Sequence, residues 1–244
     1  MNLILLDSGD TLGILPRGDR RYSHIRTILR GNAGRTFKAG VVNGPIGVLE
    51  VLEISEQCIR YRFSPTQEPL PPYPIEVILG AMRPIVARRL LKDLTAIGVK
   101  GIHLVKADLS EGSYLKSSLW EKNEYLVYLR EGAEQGGTTL LPTVRLYAGL
   151  KDCLSALQEK GRNLVMHPEA SRSFWRVQQE WEASREPSPL WRVAIGPERG
   201  WTEGEMDLFI SWGFTPCRVG SRVLRTEAAA LVAVGILLAQ WEAG

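Results

Sequence analysis

The chain has 244 residues, 44% of them hydrophobic and 23% charged, with a formal net charge of +3 and only 3 Cys. That composition is ordinary for a soluble protein, and the length suits one large domain or a small domain beside a larger one. It excludes a disulfide scaffold, and no apolar run approaches the roughly 20 residues that span a bilayer.

The start, Met1-Asn2-Leu3-Ile4-Leu5-Leu6-Asp7, has no basic region and meets a carboxylate too early for a signal peptide, so a cytosolic chain is expected. Cys58, Cys153 and Cys217 are odd in number, widely spaced and form no C-x-x-C pair. They read as buried thiols, not as disulfides or metal ligands.

Between positions 17 and 38, Arg17, Arg20, Arg21, Arg26, Arg30, Arg35 and Lys38 oppose a single acid, Asp19. A cationic field of that density suits a phosphate backbone, and it equally suits a solvated surface face. Tyr22, Ile25, Ile28 and Leu29 recur at helical spacing, with Gly31 placed to end the helix. The rest of residues 1–64 is short β-type runs broken by turns, such as Val41-Val42-Asn43-Gly44 and the alternating Cys58–Phe63. This predicts a small antiparallel barrel or sheet.

Five prolines fall within residues 64–74. Proline stiffens a chain and breaks both helix and central strand, so 65–74 is expected to be a linker and 75–244 a second domain. There the pattern alternates. Strands are predicted at Ile75–Leu79, Gly101–Val105, Asn163–Met166, Arg192–Ile195 and Pro216–Val219. Helices are predicted over Pro84–Ile97, Leu119–Gln135, Leu150–Lys160, from the Thr202/Glu205 capping box to Gly213, and over Thr226–Trp241. Strands alternating with helices predict an α/β domain with a parallel sheet covered on both faces.

Ligands of an open parallel sheet bind at the carboxyl ends of its strands. Three such loops are rich in Gly, Pro and charge: His167-Pro168-Glu169, Gly196-Pro197-Glu198-Arg199-Gly200 and Gly220-Ser221-Arg222-Val223-Leu224-Arg225. Any one alone is a strand-to-helix turn; together they favour a composite pocket. G-x-G-x-x-G, G-x-x-x-x-G-K-[ST] and G-x-S-x-G are all missing, which argues against a dinucleotide fold, a P-loop and a hydrolase elbow. His24, His103 and His167 form no H-E-x-x-H, so no metal is expected, and His103 inside a strand reads as a core residue.

The run Ile195-Gly196-Pro197-Glu198-x-Gly200, then Thr202-x-x-Glu205, then Gly220-x-Arg222-Val223-Leu224-Arg225-Thr226-Glu227, resembles the signature of the RsmE-type methyltransferases of the SPOUT superfamily. His24–Arg30, Lys92–Val99 and Ala133-Glu134-Gln135 are similar to further elements of that family, in the same order. The resemblance implies a PUA-like β-barrel, a SPOUT domain with a C-terminal trefoil knot, and a homodimer. It implies S-adenosyl-L-methionine as cofactor and N3 of a uridine in small-subunit ribosomal RNA as methyl acceptor.

The expected cofactor contacts are Met166, His167, Pro168, Glu169, Ile195, Gly196, Pro197, Gly200, Val219, Gly220, Val223, Leu224 and Thr226. RNA is expected to meet Arg21, His24, Arg26, Arg30, Arg35, Lys38 and Arg222. An imide nitrogen must lose its proton to attack, so Arg225 is the candidate for stabilising charge on the ring, and Glu198 or Glu227 for taking the proton. A carboxylate at a helix start is equally explained as a cap. The sequence departs from the family pattern in four places: Arg199 replaces a Gly, Ala96 a Glu, Gly136-Gly137-Thr138 follow Gln135 where an Arg is usual, and the N-terminal residues lack the usual basic start. A non-catalytic RNA-binding relative, or a methyltransferase acting on another RNA, therefore stays open.

Overall fold

The computed structural model describes residues 2–157, 159–184 and 190–243, which group into two compact units. Unit 1 is residues up to Pro71 together with Thr95–Gly98 and Leu129–Leu141; unit 2 is the remainder.

Unit 1 carries a five-stranded sheet built from β1 (Ile4–Leu6), β2 (Leu12–Pro16), β3 (Thr36–Val41), β4 (Ile46–Ile54) and β5 (Cys58–Gln67), in the order β1-β3-β4-β5-β2. Its pairs are antiparallel except β1 with β3, and β1 and β2 are free edges, so the sheet curls without closing into a barrel. β5 continues through Pro65 to Gln67, taking in the first residues of the proline-rich stretch.

The core of this sheet holds Leu6, Leu15, Ile25, Leu49, Val51, Ile59 and Phe63. The helical piece is a short α1 (Arg20–Ser23), capped by Asp19, running into a π-helical turn over His24–Ile28. It does not end as expected: Arg30, not Gly31, takes the left-handed backbone with φ 49°. Gly31 is needed for space, since a Cβ there would sit 2.7 Å from the Ile25 side chain.

Unit 2 is a six-stranded parallel sheet made of β6 (Tyr73–Gly80), β7 (Val99–Val105), β8 (Thr143–Tyr147), β9 (Arg162–Met166), β10 (Trp191–Ile195) and β11 (Thr215–Cys217). The order is β11-β9-β10-β6-β7-β8. Every residue of β10 is buried, as a strand covered on both faces requires. Ile78, Val165 and Ala194 share one core with Leu150, Cys153, Leu154, Phe209 and Phe214. Those residues come from α5 (Leu150–Ser155), from α7 (Glu203–Ser211) and from the turn after it. α8 (Thr226–Ala243) packs on β6 and β10.

The remaining helices are α2 (Pro84–Ile97), α3 (Ser118–Glu121), α4 (Tyr125–Gly136) and α6 (Phe174–Ser184). One long helix was expected where α3 and α4 stand. Asn123, with φ 56°, breaks it, a conformation that asparagine tolerates better than most residues. The predicted helix Leu150–Lys160 ends at Ser155, and Gln158 within it lies outside the described residues.

Cys153 and Cys217 are fully buried, and burial pushes both thiols up to about 12, so they stay protonated near neutral pH. Among the described residues no cluster could hold a metal ion, and no helix is long and apolar enough to cross a membrane.

Candidate functional site

β6 is the central starting strand of unit 2. From it the chain adds β7 and β8 on one side, while β9, β10 and β11 fill the other. The order therefore reverses between β6 and β10, and the crevice beyond their carboxyl ends is where such a sheet offers a ligand site. A cleft of about 880 Å³ lies there, and every residue expected to touch the cofactor lines it. So do Arg222, Arg225, Glu198 and Glu227.

The loops are shaped by backbone and tied to one another. A Cβ at Gly196 would sit 3.0 Å from Gly200 Cα, so any side chain there must push the backbone of the Gly200 turn by a few tenths of an ångström. Gly200 supplies the left-handed turn at φ 76°, closed by its N–H donating to Pro197 O at 2.8 Å. At the end of β6, a Cβ at Gly80 would meet Pro197 Cδ at 2.3 Å, so the strand must be bare for this loop to seat. Thr226 Oγ1 donates to Gly196 O at 3.2 Å, joining the third loop to the second. His167 N–H donates to Cys217 O at 3.0 Å, and an Arg218 guanidinium N–H donates to Ala170 O at 2.6 Å, joining the first loop to β11.

Its charges fall into two groups. Glu198 Oε1 accepts the Arg83 N–H at 3.2 Å, which caps the start of α2. Glu227 stands half-buried in the first turn of α8. Arg199, Arg222 and Arg225 are exposed, and among the described residues none has a side-chain hydrogen bond or ion pair. Arg83, Val86, Arg218, Trp201 and Ala229 also line the cleft and were not singled out from sequence. For Arg83 the sequence carries a signal: it follows β6 and precedes Pro84 at a helix start, the same strand-end position as the three Gly- and Pro-rich loops.

The basic segment of unit 1 divides differently. Arg21 is held by Asp19 at 2.6 Å and Asp7 at 3.0 Å and donates to Leu5 O, with its side chain only 16% exposed. Its charge is neutralised in place, which removes it from the surface field. Arg20 forms an ion pair at 2.8 Å with Glu134, itself almost fully buried. Burial pushes the half-buried His24 below the ordinary imidazole range, so it adds no charge near neutral pH. Arg26, Arg30, Arg35 and Lys38 are exposed. Arg26 donates to Tyr22 Oη and lies over its ring, and Arg35 lies over Phe37, but neither meets a carboxylate among the described residues. Arg26 and Arg30 border one shallow groove with Asn32 and Ser55.

A family model described as an RNA methyltransferase domain matches residues 68–238. A protein of Treponema pallidum named ribosomal RNA small subunit methyltransferase E is 33% identical over 248 residues, covering 98% of this chain and 91% of the relative. The chain belongs to the ribosomal RNA small subunit methyltransferase E family. A second member, from Borreliella burgdorferi, is 28% identical over 96% of this chain and 95% of its own length. Among solved structures, the Neisseria gonorrhoeae member bound to S-adenosyl methionine superposes with a TM-score of 0.78 at 20% identity, covering 99% of this chain and 98% of that one. A Legionella pneumophila methyltransferase in complex with the same cofactor gives 0.79 at 20% identity, over 98% and 97%. At that identity the likeness establishes the fold: a curled N-terminal sheet where a PUA-like barrel was expected, and the expected C-terminal parallel sheet.

Proposed function

We propose that this chain transfers a methyl group from S-adenosylmethionine to N3 of a uridine in small-subunit ribosomal RNA, in the cytoplasm. The observation that carries the reading is the cleft formed where three strand-end loops meet, the second and third bonded to each other and the first to β11, lined by glycines and bearing arginines with no partner among the described residues. The cleft fits the cofactor: Gly196, Gly200 and Gly220 leave bare backbone for a flat adenine, while Met166, Ile195, Val219 and Leu224 offer apolar surface.

Bound there, the cofactor supplies an electrophilic methyl on sulfur, so an S–CH3 bond breaks as an N–CH3 bond forms. Arg225 offsets the negative charge that spreads over the uracil oxygens as N3 loses its proton. Glu227, or Glu198 through the oxygen that does not accept the Arg83 N–H, takes that proton. Calorimetry with S-adenosylhomocysteine, with NAD as control, followed by mass-spectrometric mapping of the methylated nucleotide, tests the reading. Absence of S-adenosylhomocysteine binding overturns it, and a different modified base corrects the substrate.

Gly196→Val should abolish S-adenosylhomocysteine binding while the protein stays folded, because the added side chain pushes the Gly200 turn out of place. Undiminished affinity in a folded variant would remove the cofactor from this cleft.

RNA also meets unit 1, through Arg26, Arg30, Arg35 and Lys38. Changing Arg26 and Arg30 together to Ala should weaken RNA binding and flatten its salt dependence by about one unit of slope per lost phosphate contact, with cofactor affinity unchanged. Indifference to both changes would make this face merely solvated.

The chain is further proposed to form a homodimer through α8. Ala230, Ala233, Val234 and Leu237 of this helix are buried, yet Val232 and Trp241 remain 41% and 47% exposed. Light scattering at micromolar concentration should give twice the chain mass.

A further inference from the structure

Arg199 sits in the middle of the loop that follows β10, where a bulky cation looks misplaced. The backbone says otherwise. Two positions of this loop favour glycine: Gly196, for the close approach of Gly200, and Gly200, for its left-handed φ. Arg199 is not among the residues with positive φ, and its side chain is exposed on the cleft lining. The loop keeps its shape with an arginine there.

Three guanidiniums without described partners, Arg199, Arg222 and Arg225, thus border one cleft. Some arginines elsewhere are matched, Arg20, Arg62, Arg130 and Arg192 each holding a carboxylate within 3.0 Å, whereas Arg26 and Arg35 on the basic face of unit 1 are not, among the described residues. Glu169, Glu198 and Glu227 share the lining, but with Arg83 and Arg218 the arginines number five against three carboxylates, and the excess of like charge costs free energy unless an anion arrives to balance it. S-adenosylmethionine does not balance that excess, because its sulfonium and ammonium outnumber its one carboxylate and leave it net positive. Charge developing on the uracil accounts for one cation, Arg225. Two remain, and the anion in reach of both is a polynucleotide backbone.

We propose that Arg199, together with Arg222, grips RNA phosphates beside the target nucleotide, making Arg199 a substrate-positioning residue and not part of the cofactor site. This rests on the methyltransferase reading above. Arg199 is suited to the task because its planar fork can meet two phosphate oxygens at once.

The test compares Arg199→Gly, Arg199→Lys and Arg199→Glu with the unaltered protein, using in-vitro-transcribed small-subunit ribosomal RNA. Arg199→Gly should lower the slope of log K against log salt by about 0.7–0.9, the contribution of one phosphate. It should raise the KM for RNA several-fold while the rate at saturation falls much less. Arg199→Lys should restore most of the slope, and Arg199→Glu should deepen the loss. S-adenosylhomocysteine affinity should hold in all three. Unchanged slope and KM in Arg199→Gly, or a loss of S-adenosylhomocysteine affinity, overturns the proposal while the function stands. If the unaltered protein binds no S-adenosylhomocysteine and methylates nothing, the function itself fails and this inference with it.

Discussion

Replacing Arg225 by Ala should lower the rate of methyl transfer roughly a hundredfold or more, the scale for losing one donor aimed at developing charge. The affinity for S-adenosylhomocysteine should barely change. With the proposed uridine-N3 acceptor, the distinction follows from when the cation is needed: the neutral base makes little demand on it, and the ring acquires charge only as N3 gives up its proton. Arg225→Lys should recover only part of the rate, because a point charge cannot reach two acceptors in one plane. The competing view makes Arg225 scaffold, pairing with a carboxylate or loop carbonyls. Among the described residues its side chain has no such partner, and only its main-chain carbonyl is engaged, accepting the Ala229 N–H in the first turn of α8. Scaffold would predict that melting temperature and cofactor affinity fall in step with rate. Thermal melts and calorimetry on both variants decide the matter.

The parallel sheet was legible because its strands are short apolar runs set between amphipathic helices, and the strand-end loops that line the cleft because glycine and proline cluster in them. The Thr202/Glu205 capping box forms as read, with the Thr202 side chain accepting the Glu205 N–H and the Glu205 side chain accepting the Thr202 N–H. Other features depend on partners distant in sequence. Arg20 and Arg21 look like surface cations until Glu134 is brought to the first and Asp7 to the second. β8 alternates as a strand should but is short and largely exposed, and α6 is rich in aromatic residues with modest helix propensity, so neither stood out.

The departures from the family pattern also have a local logic. A Cβ at Gly136 would lie 2.5 Å from Ala96 O, so the ends of α2 and α4 meet backbone to backbone within unit 1. A bare residue at 136 belongs to that contact and says nothing against activity.

The largest stability effect should come from a group outside the cleft. Glu76 on β6 is opposite Arg192 on β10 in the sheet register, and Arg192 Nε donates to Glu76 Oε2 at 2.8 Å with the arginine side chain only 3% exposed. His103 stands 3.7 Å from the same oxygen through Nε2, while its Nδ1 is 3.1 Å from Tyr147 Oη. Burial alone would raise the Glu76 pKa, but His103 and Arg192 outweigh it and hold the carboxyl at about 2, against an ordinary 4.5. A depressed carboxyl stabilises the fold above its unfolded pKa, and that contribution is lost as pH falls from about 4.5 towards 2. By the usual conversion it is worth roughly 3 kcal/mol near neutral pH. Glu76→Gln should therefore melt well below the unaltered protein at pH 7, with a loss of about 3–5 kcal/mol because Arg192 is left buried without a counter-charge. The gap between the two proteins should narrow steadily below pH 4.5. The double change Glu76→Leu with Arg192→Met should recover most of the loss, since a buried ion pair replaced by apolar side chains often costs little. A gap that stays constant between pH 7 and pH 3 would mean that Glu76 acts through packing and not through its charge.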